Sequence, residues 1–313
     1  MGCCFAHTLP ERNVQLKLIN LQSPFLLTFD HLYTTPRHLV HVMHYCPGGT
    51  LLYHMNKKAF DKNEPAVRFY IAEIICALEV LHKAHIIYRD LKPSNVLIDE
   101  DGHARLADFS LVKPLRKKSQ YTVRGAAGTH LYRAPEVLQR KRYGYSADVF
   151  SLGVVLYQLI HKGRFPVTSE KEMMNHFAVK FRPSTSAACR DLLSRLLKKS
   201  PGKRLGCSRN SPRCWKEIKK HEFFEPLDWD HVHAQDLKPP LLIENGRLYF
   251  SFDTAAIESF PLKKRTKISP ATDLKYFGGI EFNTDLSRSN IDEAINAAKE
   301  SYHKHRELLH RQK

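Results

Sequence analysis

The stretch that most limits how this chain can fold is Tyr88-Arg89-Asp90-Leu91-Lys92-Pro93-Ser94-Asn95. Short apolar pieces flank it, Ile86-Ile87-Tyr88 before and Val96-Leu97-Ile98 after, and both read as strands. A polar run between two strands is a loop held by rigid neighbours, the kind of place where binding and catalysis sit. A third strand-like piece, Ala104-Arg105-Leu106-Ala107, follows Asp101-Gly102, which suits a hairpin turn. Upstream, Val67, Ile71, Ile74, Leu78 and Leu81 recur at three and four residues between Pro65 and about Ala84. That spacing predicts a buried amphipathic helix with Pro65 in its first turn. Ser146 to Ile160 predicts a second, strongly apolar helix, and the pattern is helical again over Ala188 to Leu197 and Cys214 to Lys220. Nearer the start, Arg12 to Leu21 has helical spacing that stops by Ser23-Pro24. His38 to Met43 reads as a strand, followed by a turn at Pro47-Gly48-Gly49. Residues 226–288 are Pro-rich and without a clear period, and Ile291 to Gln312 reads as a charged helix.

The octapeptide has a chemistry of its own. An Asp, a Lys two residues on and an Asn five on can converge on one phosphate. Asp90 can accept a hydroxyl proton, Lys92 can neutralise a transferring phosphoryl group, and Asn95 can hold Mg²⁺. Taken alone, the bland alternative is a polar surface loop with accidental spacing. Thirteen residues after Asn95 stands Asp108-Phe109-Ser110. An Asp at the end of a hairpin strand is placed to coordinate Mg²⁺ bridging two phosphates, although Asp-Phe by itself is common. Gly128-Thr129-His130-Leu131-Tyr132-Arg133-Ala134-Pro135-Glu136 follows, the two motifs frame 29 residues, and Asp148 lies in the next helix. Three motifs in order and at domain-scale spacing make coincidence a poor explanation.

Together these motifs resemble the protein-kinase set of catalytic loop, D-F-G and A-P-E. The resemblance covers roughly residues 10 to 285. Tyr88 before Arg89-Asp90 resembles the AGC branch. Arg204-Leu205-Gly206-Cys207, the run from Phe223 to Trp229 and Ala256 to Phe260 resemble the G-protein-coupled-receptor kinases, closest to the β-adrenergic-receptor-kinase subgroup. The resemblance implies an α+β, protein-kinase-like fold, with a mostly helical large lobe and an incomplete small-lobe β-sheet. Residues 1–44 would be the small-lobe remnant, 45–225 the large lobe, 226–288 an AGC-type C-terminal tail and 289–313 the charged helix. It also implies a serine/threonine kinase that uses ATP and Mg²⁺. Asp90 would be the catalytic base, Lys92 a phosphate contact, and Asn95 and Asp108 the Mg²⁺ ligands. Thr129 would hydrogen-bond near Asp90 and Lys92. Met43 would be the gatekeeper, Tyr45 part of the hinge meeting adenine, and Leu97 the floor under the ring. Glu11 falls where the family keeps the helical Glu that pairs with a small-lobe Lys. Glu136 and Arg204 would form a buried structural ion pair, and Asp148 would brace the catalytic loop.

Departures from the family pattern qualify that picture. No G-x-G-x-x-G and no V-A-I-K-like Lys precede Glu11. Phosphate positioning leans on both, so the expectation is that this chain alone has little or no turnover. A kinase-like scaffold, or a fragment of a longer kinase, are the competing readings. The subgroup's flanking RGS-homology and pleckstrin-homology domains are likewise not found in the sequence. Ser110 stands in place of the D-F-G Gly, Gln15 in place of an apolar residue, and Gly125 where many AGC kinases carry a phosphorylated Thr. Thr50 and Ser94 replace acids that often receive basic substrate residues, which argues against strongly basic substrates.

Charge extends the same argument. Lys and Arg outnumber Asp and Glu by 17, which favours acidic partners. An acidic protein substrate fits, and through the resemblance a receptor tail. An anionic membrane surface could meet Arg116-Lys117-Lys118 or Lys263-Lys264-Arg265, although solvated surface is the plainer account of such runs. No nucleic acid is expected, since no recognised binding motif accompanies the charge. No apolar run is long enough to span a bilayer. Met1-Gly2-Cys3-Cys4 only hints at lipidation, because Ala6 stands where Ser or Thr is wanted. Seven irregularly spaced Cys read as reduced thiols, so a cytoplasmic protein, with membrane association as an option, is expected.

Overall fold

The computed structural model describes residue 14 and residues 17–34, 39–116, 121–175, 178–208 and 214–243. Contacts divide the chain into two compact units. The smaller one contributes a hairpin to the described residues: β1 (Phe29–Thr34) and β2 (Leu39–Met43). The pair is antiparallel, from Phe29 opposite Met43 to Thr34 opposite Leu39, with an irregularity between Phe29 and His31.

All other described residues belong to the larger unit. Its residue 14 and residues 17–19 are helical, and further along comes α1 (Leu51–Asn56), where the Thr50 hydroxyl caps by accepting from the Tyr53 amide at 3.1 Å. Next comes α2 (Glu64–Lys83), the predicted amphipathic helix. Asn63 caps it through the Ala66 amide at 3.2 Å, and Pro65 occupies the first turn, where a missing N–H costs nothing. Short strands follow: β3 (Ile86–Ile87), β4 (Val96–Ile98), β5 (Ala104–Leu106) and β6 (Lys113–Pro114). The helices are α3 (Pro135–Leu138), α4 (Ser146–Ile160), α5 (Glu170–Asn175), α6 (Ala187–Leu196), α7 (Cys214–Lys219) and α8 (Trp229–Ala234). From Ser146 to Leu159 every residue of α4 is buried, so this helix is the axis of the core rather than a one-faced surface element. Trp215, Tyr70, Tyr88, Phe109, Phe150, Phe223 and Phe224 are fully buried around that core.

The β4–β5 hairpin has Val96 opposite Leu106 and Ile98 opposite Ala104. Its edges are not left bare. Leu106 receives a bond from Leu27 at 2.9 Å and gives one to Phe25 at 2.8 Å, while Ile98 gives one to Gly49 at 2.8 Å. Gly102, in the turn, sits at φ +95°, and a β-carbon there would stand 2.6 Å from the Leu241 carbonyl oxygen. The turn therefore needs glycine both for its conformation and for the close passage of residues 239–241.

Two sequence expectations meet the structure here. The irregular stretch expected from residue 226 contains α8, capped by Asp228 and pinned by the Trp229 indole, which donates to the Lys219 carbonyl at 3.1 Å. Six residues are too few to display a helical period, so the element is visible only in its tertiary contacts. The charged helix expected at 289–313 lies outside the described residues. Cys46, Cys76, Cys189 and Cys207 are free and buried, and burial raises Cys46 to about 11 and Cys76 to about 12, which keeps both as inert thiols. Among the described residues no helix is long and apolar enough to cross a membrane.

Candidate active site

The octapeptide leaves β3 and runs beneath α4. Asp148, in the first turn of α4 and fully buried, accepts the Tyr88 amide on Oδ2 and the Arg89 amide on Oδ1, both at 2.8 Å. Arg89 takes a left-handed conformation, φ +74°, which is costly for a residue with a side chain and persists where surroundings fix it. A second line of bonds lies behind Asp148. The His82 Nε2 donates to Oδ2 at 2.7 Å, and the Trp215 indole donates to His82 Nδ1 at 3.1 Å. An indole can only donate, so His82 Nδ1 must accept and the ring hydrogen sits on Nε2. Three elements, α2, α4 and α7, thus fix the backbone just ahead of Asp90.

Asp90 itself is 5% exposed. Its Oδ1 accepts the Thr129 hydroxyl at 2.6 Å, and its Oδ2 accepts Lys92 Nζ at 2.9 Å and Asn95 Nδ2 at 3.2 Å. Lys92 Nζ also donates to Thr129 Oγ1 at 2.9 Å, so Asp90, Lys92 and Thr129 close a triangle. Asn95 ties back again through its amide to the Asp90 carbonyl at 3.0 Å. Gly128 makes this approach feasible: it sits at φ +101°, and any β-carbon would overlap the Arg89 carbonyl oxygen.

Asp108 lies close by along the chain, because the Ala107 amide donates to the Asn95 carbonyl at 2.8 Å and the Tyr88 hydroxyl donates to the Ala107 carbonyl. It is exposed, at φ +56°. Its Oδ1 accepts the Ser110 amide at 3.2 Å and the Ser110 hydroxyl at 2.6 Å. Asn95 spends its Nδ2 on Asp90, which directs its carbonyl oxygen the other way. A carboxylate and an amide carbonyl are hard oxygen donors, and they suit Mg²⁺, which keeps several waters and relies on phosphate oxygens for the rest. Among the described residues there is no cluster of three His, Cys, Asp or Glu side chains that could hold a metal unaided.

Away from this centre, Arg204 and Glu136 meet in a fork, Nη1 to Oε1 at 2.6 Å and Nη2 to Oε2 at 2.7 Å. The guanidinium also donates to the carbonyls of Ser146 and Lys198, each at 2.8 Å, and lies over the Phe150 ring. Of the nucleotide contacts expected from sequence, Leu97 is half-buried in β4, bridged to Thr50, and Tyr45 is 54% exposed. Met43 ends β2 in the hairpin unit and is 40% exposed. Glu11 and Gln15 lie outside the described residues. Sequence reasoning missed His82 and Trp215. The available signal was a His on an otherwise apolar helix, which points to a buried partner without naming it.

Comparison with known proteins agrees with this geometry. The protein kinase domain family matches residues 7–224. Serine/threonine-protein kinase Sgk1 of Fundulus heteroclitus is 41% identical over 239 residues, covering 75% of this chain and 53% of that protein. G protein-coupled receptor kinase 1 of Caenorhabditis briggsae is 35% identical over 300 residues, covering 89% and 46%. Beta-adrenergic receptor kinase 1 of Rattus norvegicus is 37% identical over 248 residues, covering 76% and 35%. The chain spans about half the length of the first of these relatives. Relatives of both the Sgk and the receptor-kinase kind are similar to it, the former at higher identity and the Caenorhabditis receptor kinase over more of the chain. With the motif residues assembled as described, the chain belongs to the serine/threonine protein kinase family, within its AGC branch.

Proposed function

We propose that this chain carries the site that transfers the γ-phosphoryl group of ATP to Ser or Thr hydroxyls of a protein. The observation that supports this best is the closed set Asp90–Lys92–Thr129–Asn95, held on a backbone that Asp148 fixes. In this reading the substrate hydroxyl hydrogen-bonds to Asp90, which aims its oxygen at the γ-phosphorus and takes its proton as the new P–O bond forms and the bond to ADP breaks. Such a transition state is loose, so positioning and charge stabilisation carry most of the catalysis. Lys92, already shared between Asp90 and Thr129, would meet the equatorial oxygens of the moving group. Asn95 and Asp108 would hold Mg²⁺, which supplies charge neutralisation between the phosphates. Tyr45 and Leu97 would face adenine, with Met43 as gatekeeper, and Glu11 would serve the phosphates from the small lobe. Glu136 with Arg204 serves folding.

The same proposal takes residues 45–225 as the large lobe, 1–44 as small lobe, 226–288 as C-terminal tail and 289–313 as a terminal helix. The substrate we infer is acidic, a receptor tail being one form of it. Thr50 and Ser94 in place of acids and an excess of 17 positive charges support this. Placement in the cytoplasm, with an anionic membrane as an optional surface, follows from reduced thiols and the same charge.

The test is phosphoryl transfer from Mg·ATP to an acidic protein, with Asp90→Ala purified alongside. Slow transfer that disappears in the variant is the expected result, in keeping with the little turnover expected of this chain alone. Equal transfer by both proteins above a protein-free blank removes Asp90 from the mechanism, and wild-type transfer no greater than that blank favours a kinase-like scaffold.

A further inference from the structure

The phosphoryl-transfer reading gives Ser110 no role, yet Ser110 makes the shortest contact that Asp108 has. A carboxylate only accepts, so at 2.6 Å the Ser110 hydroxyl must point its hydrogen at Oδ1. The Ser110 amide reaches the same oxygen at 3.2 Å. Glycine at this position could offer the amide alone. The side chain therefore adds a second and stronger donor, a charge-assisted one, to the oxygen of a left-handed, exposed Asp. Two hydrogens on one carboxylate oxygen occupy the lone pairs that a hard cation needs. A cation approaching Oδ1 also meets the positive end of the hydroxyl dipole.

We propose that the Ser110 hydroxyl competes with the divalent cation for Asp108 Oδ1, so that metal entry requires this hydroxyl to turn away. The inference rests on Asp108 being a metal ligand. Ser110 is a positioning residue here, acting through Asp108, and its effect is to weaken the cation site. Because the pair is exposed, water replaces the lost bond readily and the effect is moderate. Removing the hydroxyl should tighten cation binding about three- to tenfold.

The experiment is a titration with Mn²⁺, a paramagnetic stand-in for Mg²⁺, reading free Mn²⁺ by electron paramagnetic resonance with saturating ADP. The wild-type chain is compared with Ser110→Ala, Ser110→Thr and Asp108→Asn. The expected result is tighter binding for Ser110→Ala, binding close to wild type for Ser110→Thr, which keeps a hydroxyl, and a lost site for Asp108→Asn. Unchanged affinity in Ser110→Ala overturns the competition. Weaker affinity there also overturns it, and would make the hydroxyl a ligand. If Asp108→Asn binds Mn²⁺ like wild type, or if wild type binds none, the metal reading of Asp108 itself falls. Loss in Asp108→Asn without tightening in Ser110→Ala sinks the Ser110 inference alone.

Discussion

Asp90 and Asp108 are the two carboxylates at the heart of the site, and the chain treats them in opposite ways. Asp90 is buried, met by three side chains, and carried on a backbone anchored by Asp148, His82 and Trp215. Asp108 is exposed, and its hydrogen bonds run two residues along its own loop to Ser110. The contrast fits the two tasks proposed for them. A group that orients a substrate hydroxyl gains from being set in advance, because misplacement is expensive in rate. A group that meets a cation with its own water and phosphate ligands needs access and some freedom. The packed side should therefore respond to mutation through stability, and the open side through ligand binding.

The largest effect expected from that contrast is at Arg204. Arg204→Met leaves the Glu136 carboxylate buried without its fork and should cost about 3–5 kcal/mol, read as a fall in the urea midpoint. A loss under 1 kcal/mol would mean that the packed side is less committed than it looks. Trp215→Phe comes next. It keeps most of the ring but strands the His82 Nδ1 acceptor, for about 1–3 kcal/mol. Faster amide exchange at Tyr88 and Arg89 should accompany the loss, since their acceptor Asp148 is then less firmly held. Exchange that stays at the wild-type rate would confine Trp215 to packing.

The smallest effect concerns pH. Burial lowers the pKa of His54 and of His161 below the ordinary imidazole value, and their bonds to the Gly48 and Tyr157 carbonyls pull only part of the way back. The unfolded chain then binds protons first as pH falls below about 6.5, so stability is full above that pH and is lost on acidification through the folded values. The urea midpoint should drop between pH 7.5 and pH 5. His54→Gln, which can still bond to Gly48, should soften the drop. A flat profile would show that these imidazoles do not set the acid response of the packed side.

Much of the packed side was legible beforehand. Asp90, Lys92, Asn95 and Thr129 stand in motifs whose spacing survives translation into three dimensions, and the structure brings Lys92, Asn95 and Thr129 each within hydrogen-bond reach of Asp90. The helices α2 and α4 are long enough for their apolar periods to accumulate. What lay beyond reach was long-range or short-lived in sequence. His82 meets Trp215 across 133 residues, and no local pattern encodes that pairing. β3 and β6 have two residues each, too few for alternation to register. Ser110 was visible as a departure from D-F-G, but its reach to Asp108 depends on a left-handed turn that the sequence does not announce.

The line from Trp215 through His82 to Asp148 also has a consequence for synthesis on the ribosome. Asp108, the loop bearing Asp90 and the start of α3 have all been translated by residue 136, and Asp148 follows within another dozen residues. The indole that completes the brace emerges only some 67 residues after Asp148. A nascent chain thus holds every signature residue of its trade well before the loop bearing Asp90 can set. Over that interval the buried His82 has no indole donor, and the half-made lobe is an exposed apolar surface of the kind that chaperones attend.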